Sequence, residues 1–448
     1  MTRLHYLRGA AAALLTAGVA MAAAPGAARI GAQEVAYEEV VARLKSADAK
    51  IRLDALQLLA RAGYVDAATQ AAPLINDPVA AVQAEAIATE VSLWLADEED
   101  TRGRGGRIVK SKDASLPLLA FVQGPGATIA NLPPASVIAA LMAGAGASAP
   151  RVRFDAMYAV GVMGPLLIQR GQFPDPQGAV ARLLAELKEN DPALRAASIH
   201  VLGRIYETAL RAEAVNQEWL ALRGEVGDRL IVAMNDPDQL VKLSSIHALG
   251  ALRHDRAVRS LADFCAYYKR DQLGLAALDA LARIAHASSV ASLTAAFEVS
   301  DDEMRRIALE GTARIGDRTA LNALLVRAAS IRTPTVRLAA AFARARTGDF
   351  GELGQITDGL GNADTADAAF AYLVELGPAV APSLGGAASY RDVQVRAGVA
   401  DLLGIIGTKA TLPTLDALAH DRDRTVAAAA SRSQKRLSVR PPGIPRTP

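Results

Sequence analysis

The chain has 448 residues, of which 51% are hydrophobic but only 4% aromatic, and its 49 Lys and Arg nearly balance its 47 Asp and Glu. This charge balance argues against nucleic acid as a partner, because nucleic-acid-binding proteins carry a marked basic excess. The single cysteine, Cys265, excludes an intramolecular disulfide, so stability must come from packing. A composition rich in Ala, Leu and Val predicts an all-α protein with closely packed helices.

Residues 1–28 have the pattern of a secretory signal peptide. Arg3 and Arg8 precede an uncharged, Ala-rich stretch that ends in small residues suited to cleavage. We therefore expect a periplasmic or secreted protein with no stable membrane span after cleavage, since no other stretch looks long and apolar enough to cross a bilayer. An uncleaved anchor is the alternative, because about 20 apolar residues suffice to span a membrane, but this stretch is only weakly hydrophobic.

Residues 34–190 are predicted to form degenerate helical repeats that carry insertions. The equivalent residues Gln83 and Arg153 are 70 positions apart, which leaves room for extra chain. In repeat proteins, insertions emerge on one face, which is often the binding face. The predicted insertions are the glycine-rich charged loop 97–112, the proline-containing segment 164–178 and an extra helix within 206–227.

Residues 191–437 are predicted to form regular repeats. The phrase Ser-Ile-His-Val-Leu-Gly at 198–203 returns as Ser-Ile-His-Ala-Leu-Gly at 245–250, and from Lys242 onward equivalent positions are 29 to 32 residues apart. A unit of that length accommodates two short helices and two turns. The proline-rich tail 438–448 is expected to be disordered. The aligned positions are Arg52, Gln83, Arg153, Arg195, Lys242, Gly274, Arg305, Arg337, Ala366, Arg396 and Ala427.

Several turns before the second helix of a unit contain Asp or Thr followed by Pro. They lie at residues 77–78, 191–192, 236–237 and 333–334. An Asp or Thr side chain can cap a helix, and Pro fits its first turn. We therefore expect the second helices to begin at these dipeptides.

The unit around residues 236–258 resembles a HEAT repeat of the short form named after phycobilisome lyases. The residues that carry the resemblance are Asp236-Pro237, Val241-Lys242, Ala248-Leu249-Gly250 and His254-Asp255-Arg256-Ala257-Val258. Over residues 35–437 the resemblance implies a right-handed α-solenoid of stacked helix pairs, with the second helix of each pair on the concave face. It implies no reaction, and the lyase activity is not carried over to an exported chain with one cysteine and few aromatic residues.

Catalytic signatures are missing from the sequence, which has no His-Glu-x-x-His, Gly-x-Ser-x-Gly, Walker loop or cysteine pair with metal spacing. We therefore expect neither an enzyme nor a resident cofactor or metal. The predicted function is an exported scaffold that binds another protein, most plausibly one of the cell envelope, through its concave face and the insertions of its first half.

The candidate partner-binding residues lie five and nine positions after the aligned residues, opposite the packing stripe of the second helix. We expect them to form a solvent-facing polar strip. One alternative is a small-ligand or metal-binding sensor built on His200, His247 and Asp279. The other is a set of ordinary solvated helix faces with i,i+4 ion pairs. The strip consists of Tyr158, His200, Arg204, His247, Asp279, Arg283, Glu310 and Arg314.

Overall fold

The computed structural model describes residues 37–95 and 132–438, and these residues form 21 α-helices with no β-strand. The predicted all-α class is confirmed. The signal peptide, the charged loop 97–112 and residues 439–448 of the tail lie outside the described residues. The helices are α1 (Tyr37–Arg43), α2 (Ala49–Ala62), α3 (Ala68–Ala71), α4 (Ala80–Leu95), α5 (Ala135–Gly144), α6 (Pro150–Gln169), α7 (Pro176–Glu186), α8 (Pro192–Arg211), α9 (Gln217–Ala233), α10 (Gln239–Leu252), α11 (Val258–Tyr268), α12 (Gln272–Ile284), α13 (Val290–Glu298), α14 (Asp302–Ile315), α15 (Arg318–Ala328), α16 (Pro334–Arg346), α17 (Leu353–Asp358), α18 (Ala366–Leu376), α19 (Val393–Ile406), α20 (Leu412–Ala419) and α21 (Arg424–Ser438).

The helices pack as sequential pairs, as expected for a helical-repeat solenoid. In each unit a first helix packs on a second helix, and each second helix also packs on the second helix of the next unit. In the tenth unit a 3-10 helix, Gly377–Ser389, takes the place of the first α-helix. All eleven aligned residues fall in second helices, nine of them at the fourth residue. The second helices are α2, α4, α6, α8, α10, α12, α14, α16, α18, α19 and α21.

The duplicated hexapeptide lies at close contacts between second helices. Leu202 and Leu249 are fully buried. A Cβ added at Gly203 would lie 3.3 Å from Ala248, and one added at Gly250 would lie 3.0 Å from the Cα of Ala280. The glycines of the phrase therefore let α8, α10 and α12 approach one another closely.

Four of the aligned arginines tie one unit to the next, a role that the sequence pattern did not suggest. In the clearest case Arg195 donates to the backbone carbonyls of Glu189 and Asn190 at 2.7 and 3.0 Å, and to Asp236 of the next turn at 2.8 and 2.9 Å. A guanidinium has enough donors to satisfy both groups at once. The other three arginines bond in the same way: Arg52 with Asp77, Arg153 with Glu186, and Arg396 with Asp421.

This linkage corrects part of the capping prediction. Asp191 does cap α8, and Pro192 opens that helix. Asp236 instead pairs with Arg195, and Asp238 accepts from the backbone N–H groups at the start of α10. Thr333 makes no capping bond, and its hydroxyl donates to Asp302 at 2.5 Å.

Two of the predicted insertions are mostly helical. The segment 164–178 is occupied largely by the end of α6 and the start of α7, and the segment 206–227 by the end of α8 and much of α9. Trp219 is buried and packs edge-on against Phe173 and Tyr206, at 5.1 and 6.1 Å between ring centroids. Both segments therefore add to the core, and the first is exposed chiefly at the short connection 170–175 between α6 and α7.

One helical run, 366–386, is long and apolar enough to cross a membrane by length and composition, contrary to the expectation from the sequence. It is interrupted at Gly377, whose φ is 71°, where α18 gives way to the 3-10 helix. In the stack, α18 buries Ala369, Tyr372 and Leu373 against its neighbours. The run therefore has the packing of a core helix.

Candidate functional site

One face of the second helices is concave around α14, α16 and α18. Arg314 on α14 donates to Glu375 on α18 at 2.9 Å, and the hydroxyl of Tyr372 on α18 donates to Glu310 on α14 at 2.5 Å. Since α16 lies between these two helices in the stack, their side chains meet only on the side toward which the stack bends. We call this side the inner face.

A cleft of about 370 Å³ lies on the inner face between α10, α12, α14 and α18. Leu243, Leu275 and Ile307 give it apolar surface, and charged side chains from α12 and α14 stand around them. Five of the eight predicted binding residues line this one cleft. They are His247, Asp279, Arg283, Glu310 and Arg314.

Asp279 and Arg283 form the predicted i,i+4 pair on α12, with 2.8 Å between Oδ2 and Nε. The Asp279 side chain is 18% exposed and that of Arg283 is 47% exposed. Burial raises the pKa of Asp279, but the positive charges of Arg283 and Arg306 outweigh it and lower the pKa to about 2. The cleft therefore presents a fixed carboxylate beside an accessible guanidinium.

Glu310 is buried, and the predicted solvent exposure of the strip is wrong at this position. The residue is 3% exposed, because α18 folds over it. Its carboxylate accepts from Arg306, from Arg314 at 3.3 Å and from Tyr372 at 2.5 Å. Both carboxylate oxygens are bonded inside the protein and the side chain is buried, so Glu310 shapes the cleft and is not accessible to a partner.

The aromatic ring of Phe342 packs against two members of this network, Tyr372 and Arg314. Phe342 is fully buried on α16 and stacks on Tyr372, with 4.3 Å between ring centroids. The guanidinium of Arg314 lies 5.5 Å from the Phe342 ring centroid, within cation–π range. Arg314 is therefore held between Phe342, Glu310 and Glu375, with only 14% of its side chain exposed.

Tyr158, His200 and Arg204 do not line the cleft. They lie on α6 and α8, at the preceding units of the stack. Ser244 has one hydroxyl proton, which it donates to the carbonyl of Leu240, so it accepts the bond of 2.9 Å that joins it to His200 Nε2. Burial lowers the pKa of His200 to about 4, and nearby positive charge on His247 and Arg204 adds to this shift. His200 is therefore neutral at pH 7.

The metal form of the sensor alternative finds no support in the described part of the chain. Within residues 37–95 and 132–438, no three His, Cys, Asp or Glu side chains converge as a metal site requires. His200, His247 and Asp279 come from three successive second helices, α8, α10 and α12, whose separation keeps single ligands apart.

Several cleft residues were missed by the sequence analysis. Glu303, Arg306 and Tyr372 line the cleft, and Glu375 binds Arg314 at its edge. Glu375 follows Ala366 by nine positions, the place at which other units have Arg. The available signal was an acid at a position where other units have arginine. Opposite charges on facing helices pair, so this acid could have indicated a partner for one of those arginines.

Replacing Asp279 with asparagine should lower the free energy of unfolding by about 2 kcal/mol at pH 7, since each unit of pKa shift corresponds to roughly 1.4 kcal/mol. The folded pKa is depressed, so the stabilisation is fully present above the ordinary value near 4 and is lost as the pH falls toward 2. Urea denaturation of both proteins at pH 7, 4 and 2.5 measures this. A difference that does not shrink with pH would contradict the electrostatic origin, and Asp255→Asn, on an exposed turn, is the control.

Comparison with known proteins finds similarity among solved structures. No family model and no curated protein matches the chain. Among solved structures, it is similar to an engineered protein whose crystal structure was determined by the Northeast Structural Genomics Consortium. The two share 16% sequence identity and a TM-score of 0.46, over 90% of this chain and 98% of that one.

Proposed function

We propose that this chain is an exported scaffold of HEAT-type repeats, of the short phycobilisome-lyase form, that binds a segment of a cell-envelope protein in the inner-face cleft. The cleft carries the proposal. It joins apolar surface from Leu243 and Leu275 to the accessible charge of Arg283 and the exposed imidazole of His247. Peptide segments bind where apolar side chains can be buried and a few polar groups fix their orientation.

The repeat architecture supports a binding role over a catalytic one. Stacked helix pairs give extended concave surfaces on which successive units each contribute a few contacts. The cleft residues come from four second helices. Three of them, α10, α12 and α14, belong to consecutive units, and the fourth, α18, lies two units beyond α14. An extended segment would therefore contact all four helices at once. Export is proposed from residues 1–28 and the envelope location of the partner follows from it.

Site-specific photo-crosslinking tests the proposal in the cells that make the protein. A photoreactive residue replaces Ala371, which is exposed and lines the cleft, or Val326, which is 77% exposed on the first helix α15. We expect a discrete crosslinked protein from position 371, in the envelope fraction, and none from position 326.

The Arg283→Glu variant provides a second measurement, because reversal of an accessible charge in the cleft should reduce the crosslink at least fivefold. A crosslink from position 326 alone, or an equal yield from both positions, would overturn the cleft as the binding site. Crosslinks confined to cytoplasmic proteins would overturn export. Absence of any crosslinked protein would favour the small-ligand alternative.

A further inference from the structure

Arginines gather at one edge of the inner face, where the second helices end. Arg211 is the last residue of α8, Arg253 directly follows α10, Arg314 is the penultimate residue of α14 and Arg346 is the last residue of α16. We call these four residues the arginine cluster. Glu207 and Glu375 are acidic residues within electrostatic range of Arg253.

Two members of the cluster have their charge satisfied inside the protein. Arg211 binds Glu207 at 2.6 Å, and Arg314 binds Glu375 through three hydrogen bonds of 2.9 to 3.2 Å. The side chains of Arg253 and Arg346 are exposed, and within the described residues neither guanidinium makes a hydrogen bond or ion pair. The uncompensated charge of the cluster is therefore that of Arg253 and Arg346.

Arg253 also occupies a backbone conformation that disfavours it. Its φ is 50°, in the left-handed region, and it caps the end of α10. The equivalent caps of α2 and α14 are Gly63 and Gly316, with φ of 68° and 80°. Glycine adopts this conformation without steric cost, whereas an arginine is strained there. The equivalent cap of α12 is Ala285, with φ of 58° and no polar side chain, so backbone strain by itself does not mark a function here. What distinguishes Arg253 is an exposed guanidinium without a side-chain bond in its own protein.

The surroundings of Arg253 also make its charge more costly in the free protein. Desolvation lowers the pKa of Arg253, Glu375 opposes this effect, and the positive charges of Arg314, Arg211 and Arg346 add to it. An anion placed among these groups would relieve the repulsion. Carboxylates suit the site because a guanidinium can hold both oxygens at once.

We propose that the arginine cluster recognises carboxylate side chains of the bound segment, so that the partner of the inner-face cleft is an acidic, extended peptide. This inference rests on the proposed function and specifies its partner. Measured between helix axes, the second helices from α8 to α18 span about 40 Å at 8 to 10 Å per helix, which is an upper limit for the inner face because the stack bends toward it. An extended peptide of about 12 residues covers that distance. Its apolar or small side chains would lie in the cleft while its carboxylates meet Arg253 and Arg346 along the edge.

Fluorescence anisotropy with defined peptides tests this inference on the full chain. The probe is a labelled 12-residue peptide of alternating Glu and Ser, compared with its Gln–Ser and Lys–Ser counterparts. We expect the Glu–Ser peptide to bind at least tenfold more tightly than either. A 12-nucleotide single-stranded DNA serves as a polyanion, and competition by it at equal affinity would overturn specific carboxylate recognition.

The matched variants are Arg253→Gly with Arg346→Gln, against Arg259→Gln with Arg318→Gln. Both pairs remove two positive charges from exposed arginines, and the control pair lies on the first helices α11 and α15. Glycine keeps the cap of α10, so the test variant should fold. We expect the test variant to bind the Glu–Ser peptide at least tenfold more weakly than the unmodified protein does. The control pair should weaken this binding less than twofold.

Equal losses in both pairs would overturn the proposal, because they would reflect net charge alone. The crosslink from position 371 distinguishes a failure of the carboxylate inference from a failure of the proposed function. If that crosslink persists in the Arg253→Gly/Arg346→Gln variant, the cleft still binds its partner and the carboxylate inference fails. If the crosslink is absent from the unmodified protein, the proposed function itself fails.

Discussion

Replacement of Leu249 with aspartate is expected to unfold the middle of the stack, with a loss of more than about 5 kcal/mol. Leu249 is fully buried in α10, which packs on α8, α9 and α12. Loss of a buried leucine alone costs about 2 to 5 kcal/mol. A carboxylate left there without a partner adds a desolvation cost of several kcal/mol.

Thermal melting and urea denaturation followed by circular dichroism measure this loss. Long repeat stacks can lose units separately, so the midpoints are compared without assuming a two-state transition. The matched control is Leu249→Met, which keeps the volume and should cost less than about 1.5 kcal/mol. An unchanged melting curve for Leu249→Asp would show that α10 does not pack as described.

Replacement of Glu310 with alanine is expected to cost about 3 to 5 kcal/mol. Its carboxylate holds Arg306, Arg314 and the hydroxyl of Tyr372, and Tyr372 is only 2% exposed. Removal of one partner from a buried charge network leaves the remaining charges and hydroxyl poorly satisfied. Glu303 and Glu375 retain contacts with the two arginines, which keeps the loss from being larger.

Urea denaturation compares Glu310→Ala with Glu298→Ala. Glu298 pairs with Arg327, but both side chains are about half exposed, and such pairs contribute about 1 kcal/mol or less. A double-mutant cycle with Tyr372→Phe measures how far Glu310 and Tyr372 act together. Equal losses for the two glutamate variants would contradict the buried network.

The predicted binding strip shows where pattern reading succeeds and where it fails. The register of the repeats placed His247, Asp279 and Arg283 correctly on one face, because residues four apart on a helix and equivalent residues on stacked helices share a surface. It failed for Glu310, whose burial comes from α18 folding across α16. A residue 62 positions away in sequence supplies that contact, and no local pattern encodes it.

The capping prediction failed for a related reason. Asp191 lies four residues before the aligned Arg195 and caps α8, whereas Asp236 lies six residues before the aligned Lys242 and pairs with Arg195, so that Asp238 caps α10. The side chain of Asp236 bonds across units because a guanidinium from the preceding unit lies within 3 Å. Charge-assisted bonds of that kind depend on the packing of whole helices.

The sequence by itself determined the helix pairs, their register and the face that carries most polar side chains, since these follow from hydrophobic period, turn residues and repeat length along the chain. Only the tertiary structure decided which polar groups remain accessible. The curvature of the stack buries Glu310 and holds Arg314, while it leaves Arg283, Arg253 and Arg346 exposed. Curvature is the sum of many small packing contacts between units, so it is fixed by the assembled protein and not by any one segment.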